Sequence, residues 1–154
     1  MFLSLLILVS LPVCASNQEL CTNLSQFANS SIEGKPSFVE LTTFWGVRKT
    51  GNTISIGEKS CSHDQSEGAK AFCTYLSRHS STEFPEMNFR RILACLQGKD
   101  PFEPNVQVNL QDISINIYES SFLEKDLSVR LDHKRKSDGA TMLIEVKRWP
   151  PEKE

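Results

Sequence analysis

Hydrophobic residues recur at helical spacing in three parts of the chain. The first part begins at Ser16, which forms a capping box with Glu19, and it ends near Ser30. Its apolar positions are Leu20, Cys21, Leu24, Phe27 and Ala28. The segment 32–36 contains Gly34 and Pro36, so the pattern predicts that this helix stops there.

Two further helices are predicted in the middle of the chain. A capping box of Asp64 and Glu67 precedes the first of them, and its apolar face is Ala69, Phe72, Cys73 and Leu76. The next is predicted to start at Ser80 or Thr82, with Pro85 in its first turn and Gly98 after its end. Its apolar face is Phe89, Ile92, Leu93 and Leu96.

The remaining segments alternate between apolar and polar residues, as strands do. Segments 38–49 and 53–59 are joined by Gly51-Asn52, a pair that favours a tight hairpin turn. Apolar residues lie at even positions in 106–110 and at odd positions in 113–117, so we expect a bulge or a break at Gln111-Asp112. Segments 127–131 and 142–146 flank a charged turn.

The order of these elements is α-ββ-αα-βββ. Short turns between successive strands favour antiparallel pairing. We therefore predict an α+β fold, an antiparallel β-sheet with three α-helices packed on it. It forms a single domain over 16–149, and 150–154 is a flexible tail.

The first 15 residues, MFLSLLILVSLPVCA, carry no charge and are apolar from Phe2 to Val9. This length is too short for a transmembrane helix, and the small residues before Ser16 suit a cleavage site, so 1–15 is predicted to be a signal peptide. An uncleaved anchor and a lipid on Cys14 are the alternatives. Length disfavours the anchor, and the bulky Val13 disfavours the lipid.

Removal of the signal peptide leaves four cysteines: Cys21, Cys61, Cys73 and Cys95. An even number in an exported chain predicts two disulfides. If the second and third helices fold back on each other, Cys73 and Cys95 lie about 9 Å apart along the helix axis, beyond bridging distance. We therefore predict Cys61–Cys95 and Cys21–Cys73; a splayed helix pair would instead allow Cys73–Cys95.

Other chemistry for the cysteines and histidines is weaker. Cys61 and His63 could supply two metal ligands, but the spacing matches no standard zinc site. A nucleophilic pair of Cys73 and His79 would place the two side chains on nearly opposite sides of one helix. No metal or cofactor is predicted. The three histidines, His63, His79 and His133, lie next to turns and are predicted to be solvated or capping residues.

Charge limits the partner classes. The net charge of −2 gives no electrostatic reason to expect nucleic acid or an anionic membrane as the main partner. The carboxylates form no recognisable acid–base motif. The sequence predicts no stable membrane insertion of the mature chain.

Two short stretches are candidates for binding another protein. Phe44 and Trp45 are adjacent on a strand, so one ring faces the core and the other can be exposed. Lys134, Arg135 and Lys136 form the densest basic run, and such charges speed association with an acidic surface. The alternative interpretations are that both rings are covered and that the basic run is an ordinary solvated turn.

These observations predict a small exported protein, in the bacterial periplasm or outside the cell, braced by disulfides. We expect it to bind another protein as an inhibitor or immunity protein against an envelope-acting toxin or hydrolase. Enzymatic activity is not favoured. Two alternatives stay open: a small exported hydrolase that uses dispersed carboxylates or His63, and a carrier with an apolar cavity for a small ligand.

Overall fold

The computed structural model describes residues 15–98, 111–118 and 120–150. Its elements are α1 (Ala15–Asn29), β1 (Ser37–Thr50), β2 (Thr53–His63), α2 (Glu67–His79), α3 (Pro85–Gln97), β3 (Asp112–Ile117), β4 (Leu127–Lys136) and β5 (Gly139–Arg148). The predicted α+β order, α-ββ-αα-βββ, is confirmed. The predicted strand at 106–110, all but the last residue of the predicted signal peptide, and residues 151–154 of the predicted tail lie outside the described residues.

The five strands of the described residues form one sheet in the order β2-β1-β5-β4-β3, and all neighbours are antiparallel. Alternate residues of β1, β4 and β5 face the helices and are buried, because the helices cover one side of the sheet. The largest fully buried side chains are Phe27, Phe72, Phe89, Leu24, Leu41, Ile92, Leu93, Leu96, Leu127, Leu131 and Ile144. The opposite face of the sheet is polar and more exposed.

Both of the predicted caps of α2 and α3 were wrong. Ser66 caps α2, and its Oγ accepts the N–H of Ala69 at 3.2 Å. Asp64 instead accepts the N–H groups of Ser66 and Phe38. Phe84 is the N-cap of α3 and makes no side-chain cap hydrogen bond, while Pro85 occupies the first turn as predicted.

The four cysteines form two disulfides, but the predicted pairing was wrong. Cys21 is bonded to Cys95, and Cys61 is bonded to Cys73. The prediction placed Cys61 level with Cys95 at the far end of a helix hairpin. In the structure α2 folds back directly over β2, so the strand and the second turn of the helix meet. The helix α1 packs on both α2 and α3, and this brings Cys21 to Cys95.

Candidate protein-binding surface

The β1–β2 hairpin continues past the end of the five-stranded sheet. Strand β1 pairs with β5 only from Ser37 to Phe44, whereas its pairing with β2 continues to Thr50 and Thr53. Residues 47–56 therefore form a two-stranded projection. At about 3.3 Å per residue, four residues and a turn extend roughly 10–15 Å beyond β5.

A β-bulge marks the base of this projection. Phe44 pairs with Glu58 and the next pair is Val47 with Ile56, so β1 contains one residue more than β2 here. The glycines at this point, Gly46 and Gly57, both have positive φ angles, 152° and 77°. Such bulges bend the strand and increase its twist, and this re-aims the hairpin relative to the sheet.

The projection carries exposed aliphatic side chains. Val47, Ile54 and Ile56 are 71%, 64% and 65% exposed. Val47 lies directly opposite Ile56, and Ile54 is two residues along the same strand, so the three side chains share one face. These residues were predicted to lie in strands, with no role in binding. Their alternation with Thr53 and Ser55 was the available signal.

The structure places the two predicted contact groups next to each other. Phe44 pairs with Gly139 of β5, and the backbone N–H of Trp45 donates to the carbonyl oxygen of Asp138 at 2.9 Å. Asp138 belongs to the turn that follows Lys136. The basic turn and the aromatic pair therefore lie at one end of the sheet, although they are about 90 residues apart in sequence.

The two rings differ in accessibility. The guanidinium of Arg48 lies over the Phe44 ring, 4.2 Å from its centre, and Phe44 is half-buried. Arg48 is itself held by Glu58 at 2.8 Å. Trp45 is 45% exposed, so it is the more accessible of the two side chains for a partner.

The three residues of the basic run also differ in whether they form an ion pair. Arg135 forms an ion pair with Glu86, the second residue of α3. Lys134 and Lys136 are exposed and, among the described residues, form no ion pair. Arg135 thus attaches the turn to the helix, while the two lysines remain accessible to a partner.

The start of α3 adds two more apolar side chains to this end of the molecule. Phe84 is 56% exposed and Met87 is 45% exposed. The Arg135–Glu86 ion pair keeps them beside the basic turn. We call the set Trp45, Val47, Ile54, Ile56, Phe84, Met87, Lys134 and Lys136 the hairpin-end surface. Three of these eight residues, Trp45, Lys134 and Lys136, were predicted from the sequence.

The groups with shifted pKa values lie in separate places. Burial raises the pKa of Asp64, but hydrogen bonds from Ser37, Ser66 and Phe38 outweigh it and lower the pKa to about 2. Asp64 therefore stays ionised and fixes the end of β2 to the start of β1. Around it lies a groove of about 170 Å³.

The prediction that His133 is solvated was wrong. Its side chain is fully buried and packs edge-on against Phe89, with 5.7 Å between the ring centres. Neither ring nitrogen makes a hydrogen bond of normal geometry with the described residues, although the Gln111 backbone lies close enough to influence the ring. Burial lowers the pKa of His133, and the Gln111 carbonyl and the charge of Asp112 partly oppose this. His79 is exposed and stacks on Tyr75.

The described residues contain no group of three His, Cys, Asp or Glu side chains that could hold a metal ion. Among the same residues, no helix has the length and apolar character needed to cross a membrane. Comparison of the chain with protein-family models, with curated proteins and with solved structures gives no match.

Proposed function

We propose that this protein is an exported binding protein that blocks an envelope-acting hydrolase or toxin by inserting the β1–β2 hairpin into its active cleft. The observation that carries the proposal is the projection itself. It presents Val47, Ile54 and Ile56, each more than 60% exposed, on one face of a hairpin that the rest of the sheet does not cover.

Exposed aliphatic side chains at a narrow tip suit insertion into a cavity. Full burial of one such side chain contributes about 1.5–3 kcal/mol. The residues that contribute most to binding are clustered near the centre of an interface and surrounded by contacts that exclude water. Trp45, Phe84 and Met87 lie beside the hairpin and would supply that rim, because each is between 45% and 56% exposed.

The charges favour a partner with an acidic rim. Lys134 and Lys136 lie at the same end of the sheet as Trp45, on the face opposite α3, and have no counter-ion in the described part of the chain. Lys49 is exposed on the hairpin itself. Basic groups at the edge of an interface raise the association rate more than the affinity. The active clefts of many hydrolases contain carboxylates, and such clefts are electrostatically complementary to this surface.

The two disulfides fit an oxidising, exported environment. We place the protein in the bacterial periplasm, where disulfides persist and where an inhibitor would meet envelope enzymes.

The test is capture of the partner from envelope extract with the oxidised mature protein, followed by variants. The double variant Val47→Asp/Ile56→Asp should lose the captured protein, because it places two charges in the proposed contact. The matched control is Ile32→Asp, an aliphatic residue that is 67% exposed but lies outside the hairpin-end surface. The captured protein should be a hydrolase or toxin whose activity falls in proportion to bound wild-type protein.

A second arm tests the charges. Lys134→Glu/Lys136→Glu should slow association with the captured partner by about tenfold at low salt, and the effect should shrink as salt is added. The proposal is wrong if the hairpin variant and Ile32→Asp retain the partner equally well. It is also wrong if the captured enzyme remains fully active in the complex.

A further inference from the structure

A groove of about 220 Å³ lies on the uncovered face of the sheet, formed by β3, β4 and β5 near the end of β5. Two rows of side chains make its floor. Asn116, Arg130 and Glu145 are cross-strand neighbours in one row, and Ser128 and Lys147 are neighbours in the next. Tyr118 and Trp149 also line the groove. None of these residues belongs to the hairpin-end surface.

Both aromatic rings of the groove are exposed. Tyr118 is 64% exposed and Trp149 is 43% exposed. Trp149 is nevertheless fixed: its indole N–H donates to the Ser128 hydroxyl at 3.0 Å, and its backbone N–H donates to the Asp126 carbonyl at 2.8 Å. A ring that is held in place and left accessible is a ready stacking surface, since the ligand does not have to order it.

The backbone before Trp149 is held in place by the contacts of the Arg148 side chain. This side chain forms ion pairs with Glu124 and Asp126 at 2.8 and 2.5 Å, and it donates to the Ser31 carbonyl at 3.1 Å. These contacts join the end of β5 to the segment after α1 and to the loop before β4. The position of Trp149 is therefore set by the fold rather than by its own packing.

The charges of the groove do not favour a simple ionic ligand. The ammonium of Lys147 lies 3.8 Å from the centre of the Trp149 ring and already occupies one face, so it would repel a cation there. Arg130 is paired with Asp132 at 2.9 Å. Glu145 faces the same groove and disfavours an anion. The groove is thus nearly neutral overall.

The remaining groups are hydrogen-bonding ones. Asn116 offers a donor and an acceptor, Glu145 offers acceptors, and neither has a side-chain hydrogen-bond partner within the described residues. A sugar ring matches this combination, because it has an apolar C–H face for stacking and a rim of neutral hydroxyls. We propose that this groove binds a neutral pyranose unit of a glycan chain, stacked on Trp149 or Tyr118 and held by Asn116 and Glu145.

The size of the groove supports one ring of a longer chain. Clefts that bury drug-sized ligands have volumes of roughly 300–1,000 Å³, and this groove is smaller and open along one side. An open groove lets a chain enter and leave across the sheet. We therefore expect weak binding, with a Kd of about 0.1–1 mM for a short oligosaccharide.

The experiment follows the indole N–H resonance of Trp149 by NMR in the full mature chain. The probes are the tetramer of N-acetylglucosamine, maltotetraose and, as the anionic comparison, inorganic phosphate. A neutral oligosaccharide should give a saturable shift. Trp149→Ala and Asn116→Ala should each weaken binding by at least about tenfold, measured on the remaining resonances of the groove. Asn116 is exposed, so its replacement tests the site without removing packing.

The matched control is Trp45→Ala, which removes the other tryptophan, one of similar exposure at the other end of the sheet. It should leave oligosaccharide binding unchanged. The proposal is overturned if neither oligosaccharide shifts the Trp149 resonance at about 10 mM, if only phosphate does, or if Trp45→Ala weakens binding as much as Trp149→Ala. These outcomes are independent of partner capture, which should not change in Trp149→Ala.

Discussion

The ring of Trp45 lies against the α-carbon of Gly57 on the neighbouring strand. A Cβ placed on Gly57 would be 3.1 and 3.2 Å from two ring carbons of Trp45 and 2.9 Å from the Thr82 hydroxyl oxygen. Trp45 therefore reaches across the bulge only because residue 57 has no side chain. This close approach fixes the tryptophan between the projecting hairpin and the loop before α3.

Replacement of Gly57 tests that relationship. Gly57→Ala should lower the free energy of unfolding by about 2–4 kcal/mol, since the added methyl meets Trp45 and Thr82 and the φ of 77° disfavours alanine. Gly51→Ala is the control, because its φ is 61° but no atom lies within 4 Å of the added Cβ. It should cost only about 1–2 kcal/mol. Equal losses in urea unfolding would show that Trp45 does not contact this site.

The Asp64 carboxylate should make the stability of the protein depend on pH in the acid range. Its pKa in the folded state, about 2, is below the unfolded value, so its contribution is complete above about pH 4 and disappears as the pH falls through 2. Asp64→Asn should reduce the free energy of unfolding by about 1 kcal/mol at neutral pH, after allowance for solvent screening. The difference from wild type should vanish near pH 2.

Glu67→Gln is the comparison for Asp64→Asn. It removes a nearby carboxylate whose side chain is 89% exposed and whose ion pair with Lys70 is 3.9 Å long. We expect almost no change in the free energy of unfolding at any pH. If Asp64→Asn behaves in the same way, the carboxylate does not fix β2 to β1.

The buried His133 should make the stability of the protein depend on pH in a higher range than Asp64 does. Because its folded pKa is lowered, the unfolded chain binds a proton first, and stability falls as the pH decreases below about 6.5. His133→Leu should remove this dependence, measured as unfolding free energies between about pH 7.5 and 5. His79→Gln alters an exposed histidine and should leave the dependence in place. A pH dependence that survives in His133→Leu would contradict the burial of the ring.

The two disulfides should differ in their contribution. The Cys21–Cys95 bond closes a loop between residues 74 positions apart, and the Cys61–Cys73 bond closes a loop between residues 12 positions apart. Loop-closure entropy then gives about 4.4 and 2.8 kcal/mol. The double variant Cys21→Ser/Cys95→Ser should therefore lose roughly 1–2 kcal/mol more stability than Cys61→Ser/Cys73→Ser.

Peptide mapping without reduction gives a direct check of the same pairing. Digestion of the native protein should release one linked pair of peptides containing Cys61 and Cys73, and another containing Cys21 and Cys95. A peptide that links Cys61 to Cys95 would restore the pairing predicted from the sequence and would contradict the packing of α2 over β2.

The turn and cap residues show where local patterns are sufficient. Gly51-Asn52 marked the hairpin between β1 and β2, and Pro85 marked the first turn of α3, because both act through the backbone angles of their own residues. The predicted cap of α2 was wrong, because Asp64 accepts the N–H of Phe38 on β1 and Ser66 caps the helix instead.

The candidate site was predicted in part for a similar reason. Trp45 and the lysines of the basic turn stood out by composition. The exposure of Val47 and Ile56 could not be predicted, because apolar residues in an alternating strand pattern normally face the core. Their exposure follows from the tertiary structure, in which the pairing of β1 with β5 stops at Phe44 and Gly139 while β1 and β2 continue.

The sequence alone determined the order of helices and strands, the antiparallel character of the sheet and the use of four cysteines, because these depend on the period of the hydrophobic pattern and on the turns. The tertiary structure decided which cysteines form disulfides, the burial of His133, and the extension of β1 and β2 beyond the rest of the sheet. Those properties depend on how distant segments are laid over one another, and the local period carries no information about that.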